Sequence, residues 1–252
     1  MNTFFVDKLK VNVYSNRQEM GKSAAENIAE KFKELIKQKG EINVVWAAAP
    51  SQNEVLSELV KRNDVQWNFI NSFHMDEYVG LDKNAPQAFG NFLKEHLFGL
   101  VNFKSVQYIN AVASDCQVEC SRYAELLKDI NIDVVVLGIG ENGHIAFNDP
   151  HVADFNDKLA VKTVLLDDVC RMQQVNDGCF EKILDVPTSA ITLTVPTLMR
   201  AQFMFCIVPS QKKAKAVRQT LMGDINESCP ASILRLHDNA TLYLDKESSE
   251  LL

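Results

Sequence analysis

The chain has 252 residues, of which 46% are hydrophobic and 23% are charged, proportions typical of a folded globular protein that exclude a disordered one. Its formal net charge of −7 gives nonspecific nucleic-acid binding no electrostatic support, so we expect no nucleic-acid partner. An anionic ligand would need positive charge gathered locally in its site.

The cysteines and the amino-terminal stretch indicate a reduced, cytoplasmic protein. None of the six cysteines forms a CxxC pair, and no cysteine–histidine set has the spacing of a zinc site. The first residues, MNTFFVDKLKVNVY, lack the basic stretch and continuous apolar run of a secretory signal. No apolar run approaches membrane-spanning length. We therefore expect a cytoplasmic location, no membrane partner and no metal.

Strand and helix patterns alternate in the first half of the chain. KLKVNVY predicts a first strand, and apolar residues repeat every four positions from Met20 to Ile36, which predicts a helix ending near Gly40. EINVVWAAA predicts a second strand, and a helix follows from Pro50. A third strand is predicted within WNFINSFHMDEYVG, and further helices around 89–98 and 118–127.

The second half continues this alternation. The stretch DVVVL, from Asp133, predicts a strand that runs into a glycine-rich loop. Strands are then predicted for AVKTVLL, AITLTV, FMFCIVP and ATLYL, with a helix over 210–222 that Gly223 closes. The segment 154–187 is the least regular part, and we expect it to form a mobile, lid-like element.

The alternation predicts an α/β fold with a doubly wound, mostly parallel, Rossmann-like sheet that has helices on both faces. No repeat or change of composition marks a linker, so we expect a single domain over 1–252. Ligands of such sheets bind beyond the carboxyl ends of the strands, near a switch in strand order. Three segments are candidates by position: AAAPSQN, HMDEYVG and GIGENGHIAFNDP.

Two of these segments carry groups suited to proton transfer. His144 follows Gly143, and an imidazole with an ordinary pKa of about 6.5 exchanges protons near neutrality. Asp76 ends a predicted strand and could abstract a proton next to a carbonyl if it faces the same crevice. The structural alternatives are a histidine bonded only to its own loop and a solvated carboxylate, and they stay open at this point.

A basic cluster offers an anion site. Lys212, Lys213 and Lys215 lie at the start of a predicted helix, where they do not complement the helix dipole, and a phosphate between them would explain their position. Arg171 is a second candidate cation for the same anion. A solvated basic helix face is the equally weighted alternative. GIGENG lacks the last glycine of the dinucleotide fingerprint, so it does not indicate a dinucleotide cofactor.

The segment GIGENGHIAFNDP, together with MDEYVGL, closely resembles the glucosamine-6-phosphate deaminase/isomerase family. Supporting stretches occur in the family's order along nearly the whole chain: AAAPSQ, ITLTVPTLM, VPSQKKAKAV and CPASILRLH. The resemblance implies conversion of glucosamine 6-phosphate and water to fructose 6-phosphate and ammonia, without metal or organic cofactor. It also implies either a single chain or a homo-oligomer, since family members range from monomers to hexamers.

The resemblance assigns roles to four catalytic residues. Asp76 matches the base that moves a proton between C2 and C1 through an enolamine, and His144 matches the histidine that opens the pyranose ring. Asn142 and Asp149 flank and orient the histidine. Asn142 stands where many members have an aspartate, and Asp149 stands where the family usually has a glutamate.

The resemblance also implies a phosphate site. Lys213 matches the phosphate-binding lysine, with Lys212 as the alternative because the local spacing is shifted by one residue, and Arg171 takes the place of the phosphate-binding arginine. The loop AAAPSQ replaces a more familiar glycine–threonine sequence. Its substrate-binding candidates are Ala48, Ala49 and Ser51.

Three other functions remain open from the sequence. Galactosamine 6-phosphate differs from the expected substrate only at C4, and nothing in the sequence decides between the two epimers. 6-Phosphogluconolactonase shares the general fold and a Gly-His loop, but HIAFNDP and MDEYVGL argue against it. A non-catalytic sugar-phosphate sensor would not require both Asp76 and His144.

Overall fold

The computed structural model describes residues 1–110 and 112–252 and contains a large central sheet. The strands are β1 (Asn2–Val6), β2 (Leu9–Val13), β3 (Ile42–Trp46), β4 (Ile70–His74), β5 (Asp76–Tyr78), β6 (Ser105–Gln107), β7 (Val134–Leu137), β8 (Val161–Leu165), β9 (Ser189–Leu193), β10 (Phe203–Val208) and β11 (Ala240–Leu244). Eight of them form one sheet in the order β1-β2-β11-β10-β7-β3-β4-β6, and every pair except β1–β2 is parallel. The predicted mostly parallel α/β sheet is confirmed.

Helices connect these strands. They are α1 (Arg17–Lys39), α2 (Asn53–Val60), α3 (Phe89–Leu93), α4 (Cys116–Lys128), α5 (Asp168–Asn176), α6 (Val195–Met199) and α7 (Ala214–Met222). Single turns of 3₁₀ helix cover Pro50–Gln52, Trp67–Phe69, Ile183–Asp185 and Gln211–Lys213, a longer one covers Pro230–Leu236, and a π-helical turn covers Lys94–Phe98. α1 begins where the side chain of Asn16 accepts a hydrogen bond from the Glu19 backbone and ends at Gly40, whose φ of 84° suits glycine.

Both faces of the sheet are covered, which explains why β7 and β10 are apolar at every position. In β7, Val134 and Val136 pack into the core that contains α1 and α2. Their neighbours Val135 and Leu137 pack into a second core with α4, α6 and α7. Successive side chains of a strand point to opposite faces, so one four-residue strand contributes to both cores.

Two predicted strands belong to a different sheet. AVKTVLL and AITLTV contain β8 and β9, which form a separate three-stranded antiparallel sheet with β5 in the order β5-β9-β8. The segment 154–187, predicted to be irregular, contains β8 and α5. Its lid-like role stays a prediction. Apolar patterning identifies strands, but it does not say which strand each one pairs with, so the second sheet was not predicted.

The sheet order brings four loops to one edge. β10, β7, β3 and β4 are consecutive neighbours and parallel, so the segments that follow them leave the sheet side by side. The order changes direction between β7 and β3, the position at which α/β sheets bind ligands. Within residues 1–110 and 112–252, no helix combines the length and the apolar character needed to cross a membrane.

Candidate active site

An open cleft lies at this edge of the sheet. The predicted site residues in its lining are Ala48, Ala49, Ser51, Asp76, His144 and Lys213. The structure therefore brings the two proton-transfer candidates into one cavity, together with the candidate phosphate lysine.

His144 is held by two side chains from its own loop. Its Nδ1 lies 2.8 Å from Oδ1 of Asn142 and 2.9 Å from Oδ1 of Asp149. The amide of Asn142 also donates to the same Asp149 oxygen at 2.9 Å. A proton on Nδ1 is thus shared between two acceptors, which leaves Nε2 of the neutral ring as the proton-accepting atom.

Asp149 supplies the negative charge of this group. The side chain is fully buried. Burial by itself raises the pKa of a carboxyl group, but the hydrogen bond from His144 and its charge outweigh that effect and hold the pKa of Asp149 below its usual value. The carboxylate is therefore ionised at neutral pH and can stabilise an imidazolium.

Each glycine in the loop after β7 is required for its own steric reason. A Cβ at Gly140 would overlap the imidazole of His144, so this residue makes room for the ring. Gly143 has a φ of 87°, and a Cβ there would lie 2.8 Å from Sγ of Cys229. Gly138 lines the cavity. A Cβ at Gly138 would lie 3.2 Å from Nε2 of Gln52, so each of the three glycines makes room for protein groups.

Asp76 is the first residue of β5 and is only 6% exposed. Burial raises its pKa well above the usual value for aspartate, and the neighbouring Glu77 charge adds to the shift. A carboxylate with a raised pKa is a stronger base once it is ionised, which suits proton abstraction from carbon. The position and the pKa of Asp76 therefore favour a general base.

Glu77, the neighbour of Asp76 in β5, is buried. Its carboxylate accepts hydrogen bonds from the backbone N–H groups of Tyr78, Phe89 and Gly90 at 2.9, 3.0 and 2.8 Å. Two of these donors are the first residues of α3, so Glu77 caps that helix. Adjacent side chains in a strand point in opposite directions, which separates Glu77 from the cavity lined by Asp76.

Lys213 provides the positive charge of the cavity. It ends the 3₁₀ turn Gln211–Lys213, is 5% exposed, and has its pKa lowered by burial. Lys212 instead extends over the surface and donates from Nζ to the backbone oxygen of Asn176 at 2.7 Å. The structure thus favours Lys213 over Lys212 as the cavity lysine. Ser210, just before this turn, has a φ of 86°, an unusual backbone conformation for a residue with a side chain.

Gln52 connects the loops on either side of the cavity. It is fully buried, and its Nε2 lies 3.2 Å from Oγ of Ser51 and 3.4 Å from the backbone oxygens of Leu137 and Ile207. These contacts join the segments that follow β3, β7 and β10. Gln52 therefore fixes Ser51 relative to the loop of His144, a role that the sequence did not reveal.

Arg171 does not line the cavity. Its guanidinium donates to the backbone oxygens of Ile183 and Val186 at 2.7 and 3.0 Å and pairs with Asp168 at 3.1 Å. α5 instead presents Gln173 and Gln174 to the cavity, and Asp177 joins them from the C-cap position. None of these three was predicted. Residues two apart on a helix lie about 200° apart around its axis, so Arg171 and Gln173 face different directions.

Asp177 gives the positive end of the cavity an opposing charge. In the part of the lining that the structure describes, Lys213 is the one cationic side chain and Asp177 lies with it. Gln173 organises this end, because its Oε1 accepts from the Glu141 backbone at 2.7 Å and its Nε2 lies 3.4 Å from Oδ2 of Asp177. In the sequence these residues appear only as two adjacent glutamines in a helix, a pattern that does not specifically indicate a binding site.

Two groups of side chains place metal-ligating atoms within 4.8 Å of one another: His144, Asp149 and Cys170, and Asp149, His151 and Asp167. The first group shares His144 and Asp149 with the proton-transfer arrangement. An ion bound there would compete with the contact between Asp149 and Nδ1 of His144.

Comparison with known proteins identifies the family. A family model described as glucosamine-6-phosphate isomerases/6-phosphogluconolactonase matches residues 15–243. The chain belongs to this family. The resemblance predicted from the two central motifs is thereby confirmed.

Named relatives in this family cover most of the chain. The glucosamine-6-phosphate deaminase of Listeria monocytogenes serotype 4a (strain HCC23) is 38% identical over 214 residues, which span 84% of this chain and 89% of the relative. The glucosamine-6-phosphate deaminase of Thermoanaerobacter sp. (strain X514) is 31% identical over 248 residues, or 97% of this chain and 95% of that protein.

Solved structures of the family share the fold. A monomeric glucosamine-6-phosphate deaminase matches with a TM-score of 0.87 and 28% identity over 96% of this chain and 99% of that one. A 6-phosphogluconolactonase from Thermotoga maritima matches with a TM-score of 0.78 and 19% identity over 95% and 100% of the two chains. The match to the lactonase shows a common fold and nothing more.

Asn142 and Asp149 differ from the residues usual in the glucosamine-6-phosphate deaminase/isomerase family, but both still contact Nδ1 of His144. Asp149 has a stem one methylene shorter than glutamate and still reaches Nδ1 at 2.9 Å. Asn142 contributes an oxygen at 2.8 Å without a charge. One negative charge therefore remains next to the imidazole.

Proposed function

We propose that this protein is a glucosamine-6-phosphate deaminase, which converts glucosamine 6-phosphate and water to fructose 6-phosphate and ammonia. The observation that carries the proposal is the cavity shared by Asp76, His144 and Lys213. Aldose–ketose conversion needs a base near C1 and C2, an acid/base group near the ring oxygen and a cation for the phosphate. These three residues meet those needs.

His144 opens the pyranose ring. Nε2 removes the proton of the C1 hydroxyl while the ring oxygen gains a proton, which breaks the bond between C1 and O5 and yields the open-chain aldehyde. The ionised Asp149 stabilises the imidazolium formed in transit through its contact with Nδ1. Asn142 keeps the ring in the same orientation.

Asp76 then moves a proton between two carbons. Its carboxylate takes the proton from C2 of the open-chain sugar while the C1 oxygen gains a proton, which gives an enolamine. It then returns its proton to C1 while the nitrogen loses one, which gives an imine at C2. Water adds to that imine, and ammonia leaves. The burial that raises the pKa of Asp76 strengthens it as a base for the first step.

The phosphate binds at the end of the cavity formed by Lys213 and the loop after β3. Ser51 offers a hydroxyl, while Ala48 and Ala49 offer small side chains that let their backbone approach a ligand. Arg171 is left out of this site, because its guanidinium is bonded to backbone oxygens. The anion is therefore held by fewer cations than the sequence predicted.

A substrate panel tests this function. We expect ammonia and fructose 6-phosphate to form in equal amounts from glucosamine 6-phosphate. Galactosamine 6-phosphate and 6-phosphogluconolactone are tested in parallel as the alternative substrates. Ammonia from the galacto epimer alone would assign that substrate instead. Lactone hydrolysis without ammonia release would assign the lactonase reaction, and tight binding of the sugar phosphates without turnover would identify a sensor.

We also propose a cytoplasmic location. It is supported by the six cysteines, all of which are present as free thiols, as is usual in a reducing compartment. The substrate is a small phosphorylated sugar, and the proposal includes neither nucleic acid nor membrane as a partner. Size measurement in solution would distinguish a single chain from a homo-oligomer.

A further inference from the structure

A thiol lies next to the group that orients His144. Sγ of Cys170 is within 4.8 Å of a carboxylate oxygen of Asp149 and of a ring nitrogen of His144. Cys170 is only 1% exposed. Its place is set by the start of α5, where its backbone N–H donates to Oδ1 of the capping residue Asp167 at 2.6 Å. The thiol therefore occupies a defined position and is not at a flexible surface.

The two oxygens of Asp149 are in different situations. Oδ1 lies 2.9 Å both from the Asn142 amide nitrogen and from Nδ1 of His144. Oδ2 is buried and has no hydrogen-bond partner among the residues that the structure describes. A buried carboxylate oxygen without a donor is energetically costly, so a neighbouring group able to donate is expected to be used.

We propose that Cys170 is a positioning residue whose S–H donates to Oδ2 of Asp149 and thereby keeps Oδ1 against Nδ1 of His144. This inference rests on the proposed function of His144 in ring opening. The thiol acts on the imidazole only through the carboxylate, and it does not itself meet the sugar. With Oδ2 held, rotation of the Asp149 carboxylate away from the ring is opposed.

The protonation state of the thiol agrees with this role. Burial raises the pKa of Cys170 well above its usual value, and the negative charge of Asp149 raises it further. The group therefore keeps its proton across the working pH range and remains a donor. A thiolate in the same place would repel the carboxylate.

The competing explanation is packing, since Cys170 also belongs to the hydrophobic core on the α1 side of the sheet. Both explanations predict that enlarging or removing the side chain changes stability. They differ for variants that keep or remove the donor. Cys170→Ser keeps a donor, whereas Cys170→Val fills the space without one.

The experiment compares Cys170→Ser, Cys170→Ala and Cys170→Val with the wild type, using Cys120→Ala as a buried-cysteine control in α4. We expect the alanine and valine variants to lose about tenfold in kcat with KM unchanged, as expected for a lost hydrogen bond to a charged group. The midpoint of the kcat–pH profile should also move. Cys170→Ser should restore both within about twofold, and Cys120→Ala should leave both unchanged.

Nitrogen NMR of the His144 ring supplies a readout that does not depend on turnover. We expect the Nδ1-protonated tautomer to dominate in the wild type and in Cys170→Ser, and to lose its dominance in Cys170→Ala and Cys170→Val. Unchanged tautomer and kcat in Cys170→Val would overturn the proposal and leave packing as the role. If the wild type releases no ammonia, the proposed function fails, while the tautomer measurement still tests the contact.

Discussion

At the scale of single residues, the adjacent carboxylates of Asp76 and Glu77 have different surroundings. Asp76 lines the cavity without capping a helix, whereas Glu77 receives three backbone hydrogen bonds at the start of α3. The alternation of a strand places one group toward the ligand and the other toward the helix. One of the pair is thereby available as a base, and the other maintains structure.

Asp177 is expected to weaken phosphate binding, because its charge lies in the same cavity as Lys213. We predict that Asp177→Asn lowers KM for the sugar phosphate by about tenfold. This factor corresponds to the repulsion energy between two unit charges roughly 10 Å apart at an effective dielectric constant of about 20. The effect should shrink as salt is added. Steady-state kinetics at low and high ionic strength measure it.

Asp168→Asn is the matched control for that change. It removes a carboxylate from the other end of α5, at an exposed position that pairs with Arg171 away from the cavity. We expect its KM to equal that of the wild type. Equal KM values for Asp177→Asn and the wild type would contradict a charge effect at the phosphate end.

The residues that could be predicted from sequence are those that directly follow a strand in a specific motif. Asp76 begins β5 shortly after β4 ends, His144 lies in the loop that follows β7, and parallel strands bring these ends together. Gln173, Gln174 and Asp177 could not be predicted, because the rotation of α5 about its axis decides which residues reach the cavity. The same rotation directs Arg171 to the backbone of residues 183 and 186.

At the scale of structural elements, the loop after β7 is built around the imidazole. We predict that Gly140→Ala lowers kcat by about 10²-fold, because a Cβ would overlap the His144 ring and displace it by a fraction of its own size. The free energy of unfolding should change little, since the displaced ring borders an open cavity. Kinetics and chemical denaturation together measure the two effects.

Gly40→Ala provides the opposite pattern as a control. Gly40 has a φ of 84° at the end of α1, and no atom lies within 4 Å of where its Cβ would be. We expect a loss of about 1 kcal/mol in stability from backbone strain, with kcat unchanged. A normal kcat in Gly140→Ala would show that the ring position is not critical.

Most elements could be predicted from periodicity, but their partners could not. The pattern of β7 is strong because every residue is apolar, and the pattern of α1 is strong because its buried apolar residues repeat with the helical period. β1 was missed, being a short edge strand with exposed residues. The pairing of β5 with β9 depends on contacts distant in sequence, and local pattern carries no information about them.

At the scale of the whole molecule, the sheet order produces the site. β10, β7, β3 and β4 are neighbours, so residues from four distant stretches of chain reach one cavity. Gln52 then ties three of these stretches together through one side chain. Stability and site geometry are therefore coupled through the same strands.

His74 makes stability depend on pH. It is fully buried at the end of β4, its Nε2 accepts from the Ile109 backbone at 2.8 Å, and burial lowers its pKa to about 4. In the unfolded chain the pKa is about 6.5, so between these values the unfolded chain binds the extra proton. The contribution of His74 to the free energy of unfolding is therefore fully present above pH 6.5. It is lost as the pH falls toward 4, and the total loss is about 3 kcal/mol.

His74→Gln tests this linkage, because glutamine keeps an acceptor in place of Nε2 and does not titrate. We predict that from pH 7 to pH 5 the wild type loses about 2 kcal/mol more unfolding free energy than the variant. His96→Gln, a half-buried histidine beside Phe92, should follow the wild type. Identical pH slopes for wild type and His74→Gln would exclude His74 as the source.

The central claim is that Asp76 acts as the base on a sugar phosphate held in the cavity it shares with His144. The most direct measurement is ammonia release from glucosamine 6-phosphate by the wild type and Asp76→Asn, with substrate binding followed by calorimetry. We predict a loss of about 10²–10⁴ in kcat for the variant, with the dissociation constant changed less than about threefold. Ammonia release by Asp76→Asn at the wild-type rate would contradict the account.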